Sequence, residues 1–376
     1  MMTAGRGRPT CAVIDLDNLL FNLGIIKKTV RPATGILAAV KANAYGHGML
    51  EISRTFETAG IDYLGVAILE EAVELRDAGI KTPILIFGAG RPEDAAEIVQ
   101  YNLTQTLTDV RMAQALSVQA VRLHRTAKVH IKVDTGMGRL GFPCDKVLSV
   151  VHEIKSLPGI HIEGIYSHLP STISSNRAYT EGQFRKFSRV LEVLAGFEFP
   201  IRHLANSMAI LQFPESHLDM VRAGFILYGL YRASGYDFKP VLTLKTAVSY
   251  VNSLPPGSPV GYGLSYRTSR KTQIAVLPIG YGDGLPRALS NQGQVLINGR
   301  RFPIAGAVCM DQTMVDVGDE CVCPGMEAIL IGKQKDEEIT AREIALKLNT
   351  CENEIVTRIS SRVPRIFYSE TATENQ

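Results

Sequence analysis

The sequence lacks three features: closely paired cysteines with metal-ligand spacing, an excess of charge of one sign, and long apolar runs. Six cysteines are scattered through 376 residues without paired histidines, and Cys321 and Cys323 are too close together for a normal zinc knuckle. We therefore expect reduced thiols, a cytoplasmic protein and no metal site.

The charges are balanced and interspersed. There are 40 Lys and Arg residues against 37 Asp and Glu residues, which gives a net charge of +3. This balance predicts neither a nucleic-acid partner nor an anionic membrane partner. Residues 1–9 are basic but no apolar segment follows them, so we expect no signal peptide. No apolar run is long enough to indicate a membrane span.

The sequence does contain a globular composition and a regular alternation of strand and helix patterns. The chain is 45% hydrophobic and 20% charged, which at this length fits two domains. After a short strand pattern at 10–14, eight apolar runs alternate with helical periodicity, at 36–41, 63–68, 83–87, 103–107, 129–133, 162–167, 201–205 and 220–228. This rhythm predicts an α/β fold with a (β/α)8 TIM-type barrel. A doubly wound open sheet is the alternative, although no Gly-x-Gly-x-x-Gly turn follows an early strand.

The pattern changes at about residue 241. Strand-like runs then follow one another with turns between them, and one helix is predicted at 340–348. The runs are 243–251, 272–278, 294–297, 301–308, 313–317 and 328–331. We expect a barrel domain at 10–240 and a C-terminal, mostly β domain at 241–376, with the first strand, 10–15, able to pack with the second domain.

Lys41 ends the apolar run that opens the predicted barrel. Burial at a strand end lowers the pKa of a lysine and makes its amine a nucleophile. Such an amine can form a Schiff base with a carbonyl cofactor such as pyridoxal 5′-phosphate (PLP). A lysine that only extends from the strand end into solvent is an equally good reading of this stretch alone.

Reactive side chains also follow other predicted barrel strands. The active site of a (β/α)8 barrel lies at the carboxyl ends of the strands. Taken singly, each of these residues has an ordinary explanation, such as a structural histidine, a helix N-cap or a surface arginine. Their shared location favours an active site. They are Lys41 and Tyr45, then Lys132, Asp134 and Arg139, then His168, then Asn206 and Ser207, and finally Arg222 with Gly224.

These segments resemble the motifs of bacterial alanine racemases. The resemblance covers nearly the whole chain in the order that the family shows. It rests on VKANAYGHG at 40–48, DTGMGR at 134–139, YSH at 166–168, ANS at 205–207, RAG at 222–224, GYGDG at 280–284, CMDQ at 309–312 and RVPR at 362–365.

The resemblance implies a PLP-dependent alanine racemase that interconverts L-alanine and D-alanine with two bases and supplies D-alanine for peptidoglycan. It implies that Lys41 carries the cofactor and serves the D-face, and that Tyr281 of a second subunit in a homodimer serves the L-face. A phenol ordinarily ionises near pH ~10, so cationic neighbours must favour its ionised form. His168, which resembles the histidine that contacts this tyrosine, is the expected neighbour.

The resemblance also assigns cofactor contacts. Arg222 would face the pyridine nitrogen, and because arginine keeps its proton, the ring would stay unprotonated and transamination would be suppressed. The hypothesis predicts more transamination when Arg222 is replaced by Glu. The remaining cofactor-binding residues are Tyr45, His168, Asn206, Ser207, Gly224, Phe225 and Ser361.

The substrate contacts come from the same comparison. Arg139 would contact the substrate carboxylate and the phenolic oxygen of the cofactor, and the Met310 amide would bind the carboxylate from the other subunit. Lys132 matches a position that is carbamylated in many relatives, where the resulting anion orients the arginine. Cys309 and Asp311 flank Met310 in its motif and are expected to support it.

One position departs from the family. Most relatives carry a tyrosine where this chain has Ser361, so the pocket is expected to lack an aromatic wall. Since an apolar pocket discriminates weakly against an added hydroxyl, we predict measurable serine racemisation. A serine or broad-specificity racemase is therefore the alternative function. A PLP-carrier protein on a lone barrel lacks the C-terminal domain, and a related PLP decarboxylase would need a glycine triplet and a cysteine signature that we do not find.

Overall fold

The computed structural model describes residues 7–171, 176–231 and 235–370. Up to residue 223 its strands are β1 (Cys11–Asp15), β2 (Gly35–Ala39), β3 (Tyr63–Val66), β4 (Ile84–Ile86), β5 (Thr104–Leu107), β6 (Ala127–Asp134), β7 (Phe142–Pro143), β8 (Ile160–Tyr166), β9 (Ile201–His203) and β10 (Met220–Ala223). Its helical segments are α1 (Leu16–Thr29), α2 (Lys41–Tyr45), α3 (Met49–Thr58), α4 (Leu69–Asp77), α5 (Ala95–Gln100), α6 (Val110–Arg122), α7 (Val147–Lys155), α8 (Arg177–Val193) and α9 (Ser207–Gln212).

Eight of these strands form a closed parallel barrel. They pair in the order β5-β4-β3-β2-β10-β9-β8-β6, and β5 also pairs with β6, which closes the sheet. The barrel is confirmed and the open-sheet alternative is wrong. Strands such as β3 and β4 are buried along their whole length, which is why they read as unbroken apolar runs. The surrounding helices bury one face each, as α6 does with Met112, Leu116 and Ala120.

The C-terminal part is mostly β-structure. Its strands are β11 (Leu242–Ala247), β12 (Tyr250–Leu254), β13 (Pro259–Val260), β14 (Tyr266–Arg267), β15 (Thr272–Leu277), β16 (Gln294–Ile297), β17 (Arg300–Pro303), β18 (Thr313–Gly318), β19 (Glu327–Gln334), β20 (Glu337–Ile339) and β21 (Arg365–Tyr368). Its helices are α10 (Ala341–Lys347) and α11 (Glu352–Thr357). The largest sheet runs β17-β16-β19-β11-β1-β21, with β20 beside β19, and β12, β15 and β18 form a second sheet.

The chain divides into two compact units. The barrel unit comprises residues 23–44 and 49–227, and the C-terminal unit comprises the described residues up to 22, residues 45–48 and the described residues from 228 onward. Strand β1 lies in the C-terminal unit, where it pairs antiparallel with β11 and parallel with β21.

Several element boundaries differ from the sequence-based expectations. The predicted strand at 243–251 is two strands, because the chain turns at Val248 and Ser249 and β12 joins a different sheet from β11. The predicted strand at 220–228 ends at Ala223, and a short 3-10 helix, Phe225–Tyr228, follows. The run at 301–308 is strand only through Pro303. Helix α11 and strand β21 were not expected.

No helix within the described ranges combines the length and the apolar character that crossing a membrane requires. In the same part of the chain, no group of three or more His, Cys, Asp or Glu side chains could hold a metal ion.

Candidate active site

Lys41 stands at the carboxyl end of barrel strand β2, at the start of an unusual turn. Ala42, Asn43, Ala44 and Tyr45 all have φ between +52° and +54°, the left-handed region. The Ala44 amide donates to the Val40 carbonyl at 2.7 Å, so the turn is hydrogen-bonded like a helix of the opposite hand. Each non-glycine residue in this conformation costs roughly 1–2 kcal/mol. The sequence suggested only a polar loop here.

Two side chains of the barrel unit hold this turn. The Glu71 carboxylate accepts the Ala42 amide at 2.6 Å with one oxygen and the Ala67 amide at 2.7 Å with the other. The Asn43 side chain accepts the Met49 amide at 2.8 Å and so satisfies a donor at the start of α3. These bonds fix the backbone immediately after Lys41.

The Lys41 amine lies in an environment that favours its neutral form. Burial lowers its pKa, and the charge of Arg139 lowers it further, while Glu71 acts in the opposite direction. A neutral amine is the form that attacks a carbonyl and accepts a proton. The side chain is therefore suited to the covalent role that the strand-end position suggested.

Arg222, on β10, is buried at 5% exposure and is held on several sides. Its Nη2 donates to the carbonyls of Ser167 and Leu204 at 2.8 and 2.9 Å, and its Nη1 lies 3.0 Å from Nδ1 of His203. Burial lowers the pKa of the guanidinium to about 10, so it stays charged at neutral pH.

These contacts leave the Nε–H and one Nη1–H of Arg222 without an acceptor among the described residues. An unprotonated aromatic ring nitrogen can only accept, so it would supply an acceptor for such a donor. This feature fits the pyridine ring of PLP.

His168 differs from the expectation drawn from the sequence. Its Nδ1 lies 3.2 Å from Nη2 of Arg222. Burial, together with the charges of Arg222 and Lys132, holds the pKa of its imidazole well below the ordinary value. These surroundings favour a neutral ring, whereas the sequence reasoning expected His168 to be a cationic neighbour of the tyrosine. Its Nε2 carries the proton, because Nδ1 accepts from the guanidinium.

Lys132, on β6, is also buried. Its Nζ donates to the Val133 carbonyl at 3.2 Å and lies 5.1 Å from the centre of the Tyr166 ring. Burial, reinforced by the charge of Arg222, lowers the pKa of its amine to about 7. The neutral form of this amine is therefore favoured far more than in an exposed lysine.

Arg139 lies in a loop that Asp134 organises. The Asp134 carboxylate accepts the amides of Gly136, Met137 and Gly138 at 2.8–2.9 Å, which is a turn typical of aspartate. Arg139 is exposed and its guanidinium makes no hydrogen bond or ion pair within the part of the chain that the structure describes. Its charge is therefore available to an anionic ligand.

Asn206 and Ser207 begin helix α9. The Asn206 carboxamide oxygen accepts the Ala209 amide at 3.2 Å, and its nitrogen donates to the Leu169 carbonyl at 2.7 Å, so this residue caps the helix. The Ser207 hydroxyl oxygen accepts the Gly224 amide at 2.8 Å, which leaves its own hydrogen available for a ligand. Phe225 begins the 3-10 helix that follows.

The C-terminal unit holds the other candidate residues. Tyr281 and Met310 are 41% and 53% exposed, and Ser361 is also exposed. The Tyr281 amide donates to the Cys309 carbonyl at 2.9 Å, and the Asp311 carboxylate accepts from Arg362 at 2.7 Å. The segment of Tyr281 and the segment that contains Cys309, Met310 and Asp311 therefore lie side by side, and the Tyr281 side chain is exposed to solvent.

Tyr45 also belongs to the C-terminal unit. Burial raises the pKa of its phenol to about 12, and its ring centre lies 5.0 Å from that of Tyr228. Gly46 follows with φ of +81°, and a Cβ there would come within 2.2 Å of the Val356 carbonyl oxygen, so only glycine fits.

The predicted site residues thus fall into two sets. The barrel unit gathers Lys41, Lys132, Arg139, His168, Asn206, Ser207, Arg222, Gly224 and Phe225. The C-terminal unit holds Tyr45, Tyr281, Cys309, Met310, Asp311 and Ser361.

The sequence reasoning missed residues that support these groups. Glu71 holds the turn after Lys41, and His203 holds Arg222. His203 could have been found as a polar side chain in the predicted barrel strand 201–205, since such a residue needs a partner if it faces the barrel interior. Glu71 gave no signal, because an acidic residue in the first turn of a helix is ordinary.

Two family models match the chain. The alanine racemase N-terminal domain matches residues 14–232, and the alanine racemase C-terminal domain matches residues 241–367.

Curated relatives and solved structures agree. An alanine racemase of Halothermothrix orenii is 45% identical over 96% of this chain and 97% of its own, and one of Carboxydothermus hydrogenoformans is 44% identical over 96% and 100%. Among solved structures, alanine racemases of Clostridium difficile and Bacillus anthracis each give a TM-score of 0.92, at 36% and 34% identity. The first covers 97% of both chains, and the second covers 98% of this chain and 97% of its own. These names do not favour the serine or broad-specificity alternative, and the chain belongs to the alanine racemase family.

Proposed function

We propose that this protein is an isomerase, a PLP-dependent alanine racemase that interconverts L-alanine and D-alanine. The observation that carries the proposal is the half-buried Lys41 side chain at the end of a barrel strand, with a pKa lowered by partial burial and by Arg139. The barrel domain, 10–240, carries this lysine, and the C-terminal domain, 241–376, carries Tyr281 and Met310.

PLP, when bound, withdraws electrons from the amino acid and so acidifies its Cα–H bond. Lys41 would hold the cofactor, and its amine would exchange a proton with Cα of the substrate on the D-face. The Tyr281 hydroxyl does the same on the L-face. Two groups on opposite faces invert the centre, since the proton leaves to one and returns from the other.

Arg222 would donate to the ring nitrogen of the cofactor and so favour its unprotonated form. Its guanidinium does not give up a proton at neutral pH, even with a pKa of about 10. His168 accepts from Arg222 through Nδ1 and therefore presents Nε2–H as a donor. We propose that this donor faces the Tyr281 oxygen, so that the arginine's charge favours the phenolate through a neutral imidazole.

The phosphate group is proposed to bind to hydroxyls and amides rather than to a strong cation. The hydrogen of the Ser207 hydroxyl is available, because its oxygen already accepts from Gly224. The residues proposed for this role are Tyr45, Asn206, Ser207, Gly224, Phe225 and Ser361.

The exposed guanidinium of Arg139 and the amide of Met310 are proposed to bind the substrate carboxylate, which needs charge and directed donors. Lys132 lies in the same unit as Arg139 and would orient it. Cys309 and Asp311 fix the segment that carries Met310.

We propose a homodimer in which the C-terminal domain of one subunit completes the barrel mouth of the other. Large exposed apolar side chains on the C-terminal domain support this, because such groups grouped at a surface mark interaction sites, and the segments of Tyr281 and Met310 are hydrogen-bonded to each other. Tyr262, Leu264, Tyr281 and Met310 are between 41% and 76% exposed. We further propose a cytoplasmic enzyme whose D-alanine serves peptidoglycan, and the six thiols, none in a disulfide, support that location.

Mixing two inactive variants tests the proposal. Lys41→Ala and Tyr281→Phe homodimers should each lose alanine racemisation by about 1,000-fold or more. Subunit exchange should then restore about a quarter of wild-type activity, because each heterodimer regains one intact site. Chiral chromatography of alanine measures both quantities, with refolded single variants as controls. No recovery on mixing would rule out shared sites, and no alanine racemisation by the wild-type protein would rule out the function.

A further inference from the structure

A line of buried polar groups runs through the barrel interior away from Arg222. Nη1 of Arg222 lies 3.0 Å from Nδ1 of His203, and Nε2 of His203 lies 2.9 Å from Nδ1 of His130. Nε2 of His130 lies 3.6 Å from a carboxylate oxygen of Glu163. Both histidines are fully buried at 0% exposure.

The arginine at one end of the line favours one arrangement of the histidine protons. Arg222 can only donate, so Nδ1 of His203 accepts and its proton is on Nε2. That proton can be donated to Nδ1 of His130, and the proton of His130 is then on Nε2, on the side of the Glu163 carboxylate. Burial keeps the pKa of each imidazole below its ordinary value, so neither ring carries a second proton at neutral pH.

Glu163 meets the line at its far end. A separation of 3.6 Å is longer than a hydrogen bond, but a carboxylate still attracts the Nε2–H of His130 strongly inside a protein. His130 Nε2 has no hydrogen-bond partner within the described residues, so the carboxylate is what compensates its burial. The Tyr63 hydroxyl donates to Glu163 and the Thr104 hydroxyl lies 3.3 Å away, which holds the carboxylate in place.

The barrel makes room for this arrangement. A Cβ at Gly164 would lie 2.8 Å from Cε1 of His130 and 2.7 Å from the Ile201 carbonyl oxygen. The glycine beside Glu163 therefore admits the His130 ring. At the other side of the carboxylate, Nζ of the half-exposed Lys128 lies 3.5 Å away.

We propose that Glu163 is a positioning residue, which fixes the protons of His130 and His203 and thereby holds the Arg222 guanidinium in the orientation that the cofactor ring needs. This inference rests on the proposed function for its effect on activity. The proton positions themselves do not depend on it.

The first measurement needs no variant. Nitrogen NMR of histidine-labelled full-length protein, with and without PLP, reports which ring nitrogen of each imidazole is protonated, and single His→Gln variants assign the signals. We expect both His130 and His203 to be neutral with the proton on Nε2. A proton on Nδ1 of either ring, or a charged ring, at neutral pH would overturn the proposal.

Variants at position 163 then test the link to Arg222. Glu163→Leu removes the acceptor, so we expect mixed proton positions at His130, a kcat for alanine at least tenfold lower with little change in KM, and more pyruvate per turnover. Glu163→Gln keeps one acceptor oxygen, so proton positions and most of kcat should be retained. Lys128→Gln, which removes the other neighbour of the carboxylate, is the matched control and should behave as wild type.

The outcomes are separable. Wild-type proton positions together with unchanged kcat and pyruvate yield in Glu163→Leu would refute the inference. If Glu163→Leu does not fold, the nitrogen NMR spectrum of the wild-type protein and the proton positions and kcat of Glu163→Gln still test the inference. Absence of alanine racemisation in the wild-type protein would refute the proposed function but leave the proton positions as an independent test.

Discussion

Nη2 of Arg222 lies 3.2 Å from Nδ1 of His168, with the arginine buried and the histidine half-buried. The pair joins a permanent cation to a neutral imidazole. The guanidinium therefore polarises the imidazole through a hydrogen bond, and no second positive charge is needed. A second cation beside Arg222 would be repelled, and this repulsion is one cause of the low pKa of His168.

Arg222 is expected to control the choice between racemisation and transamination. Replacing it with Glu would let the ring nitrogen keep a proton, and the bound cofactor would then withdraw electrons more strongly. We predict that Arg222→Glu lowers kcat for alanine by about 100-fold and raises pyruvate formed per racemisation. Coupled assay of pyruvate measures the ratio. Arg202→Gln, at an exposed ion pair on the neighbouring strand, is the control, and an unchanged ratio in Arg222→Glu would contradict the assignment.

Lys132 is expected to react with carbon dioxide. Burial lowers the pKa of its amine to about 7, so the uncharged form that adds carbon dioxide is abundant at neutral pH. Labelled bicarbonate should give a carbamate signal in carbon NMR that Lys132→Met abolishes, and the variant should lose activity by roughly 10- to 100-fold. Lys128, on the same strand but half-exposed, is the matched control, and a signal that survives in Lys132→Met would contradict the prediction.

Glu163 is expected to contribute to stability in a pH-dependent manner. The Nε2–H of the neutral His130 ring, the Tyr63 hydroxyl and the charge of Lys128 lower the pKa of its carboxyl to about 2 against an ordinary 4.5, in spite of its burial. Its contribution is therefore complete above about pH 4.5 and is lost as the pH falls toward 2.

Between these pH values, wild type should lose on the order of 2 kcal/mol more than Glu163→Gln in its free energy of unfolding. Urea titrations at several pH values give the difference. Parallel curves for the two proteins would contradict the prediction.

Ser361 is expected to relax the choice of substrate. Serine is smaller than tyrosine, so Ser361 leaves more space for a larger substrate side chain. Ser361 is exposed in the C-terminal unit. We predict that Ser361→Tyr lowers the rate on L-serine relative to L-alanine by roughly tenfold. Competing rates on the two amino acids measure the ratio. Ser360→Ala, at the adjacent residue, serves as a control, and undetectable D-serine formation by wild type would contradict the idea.

The barrel was predictable from the sequence for a physical reason. Parallel strands covered on both faces read as apolar runs, so the run at 36–41 and its seven successors were recognisable. The positions of Lys41 and Arg222 at strand ends followed from that reading and from the family motifs. The pairing of β1 with β21 was not predictable, because more than 300 residues separate the two strands and no local sequence pattern indicates which strand pairs with which.

Two features of the site had no local signal. Ala42 to Tyr45 contain no glycine, so nothing in their sequence indicates a left-handed turn. The line from His203 through His130 to Glu163 depends on side chains of three strands that meet only in the closed barrel. In both cases, tertiary contacts decide the conformation.

The left-handed turn has a consequence for heat inactivation. Four residues in a sparsely populated conformation persist only while Glu71 and Asn43 hold them, so this segment should relax before the barrel melts. We predict that warming abolishes racemisation and cofactor absorbance several degrees below the loss of helical circular dichroism, and that Glu71→Gln widens this interval. Coincident transitions would contradict it. Lys41, the proposed catalytic lysine, would then leave its position while most of the barrel was still folded.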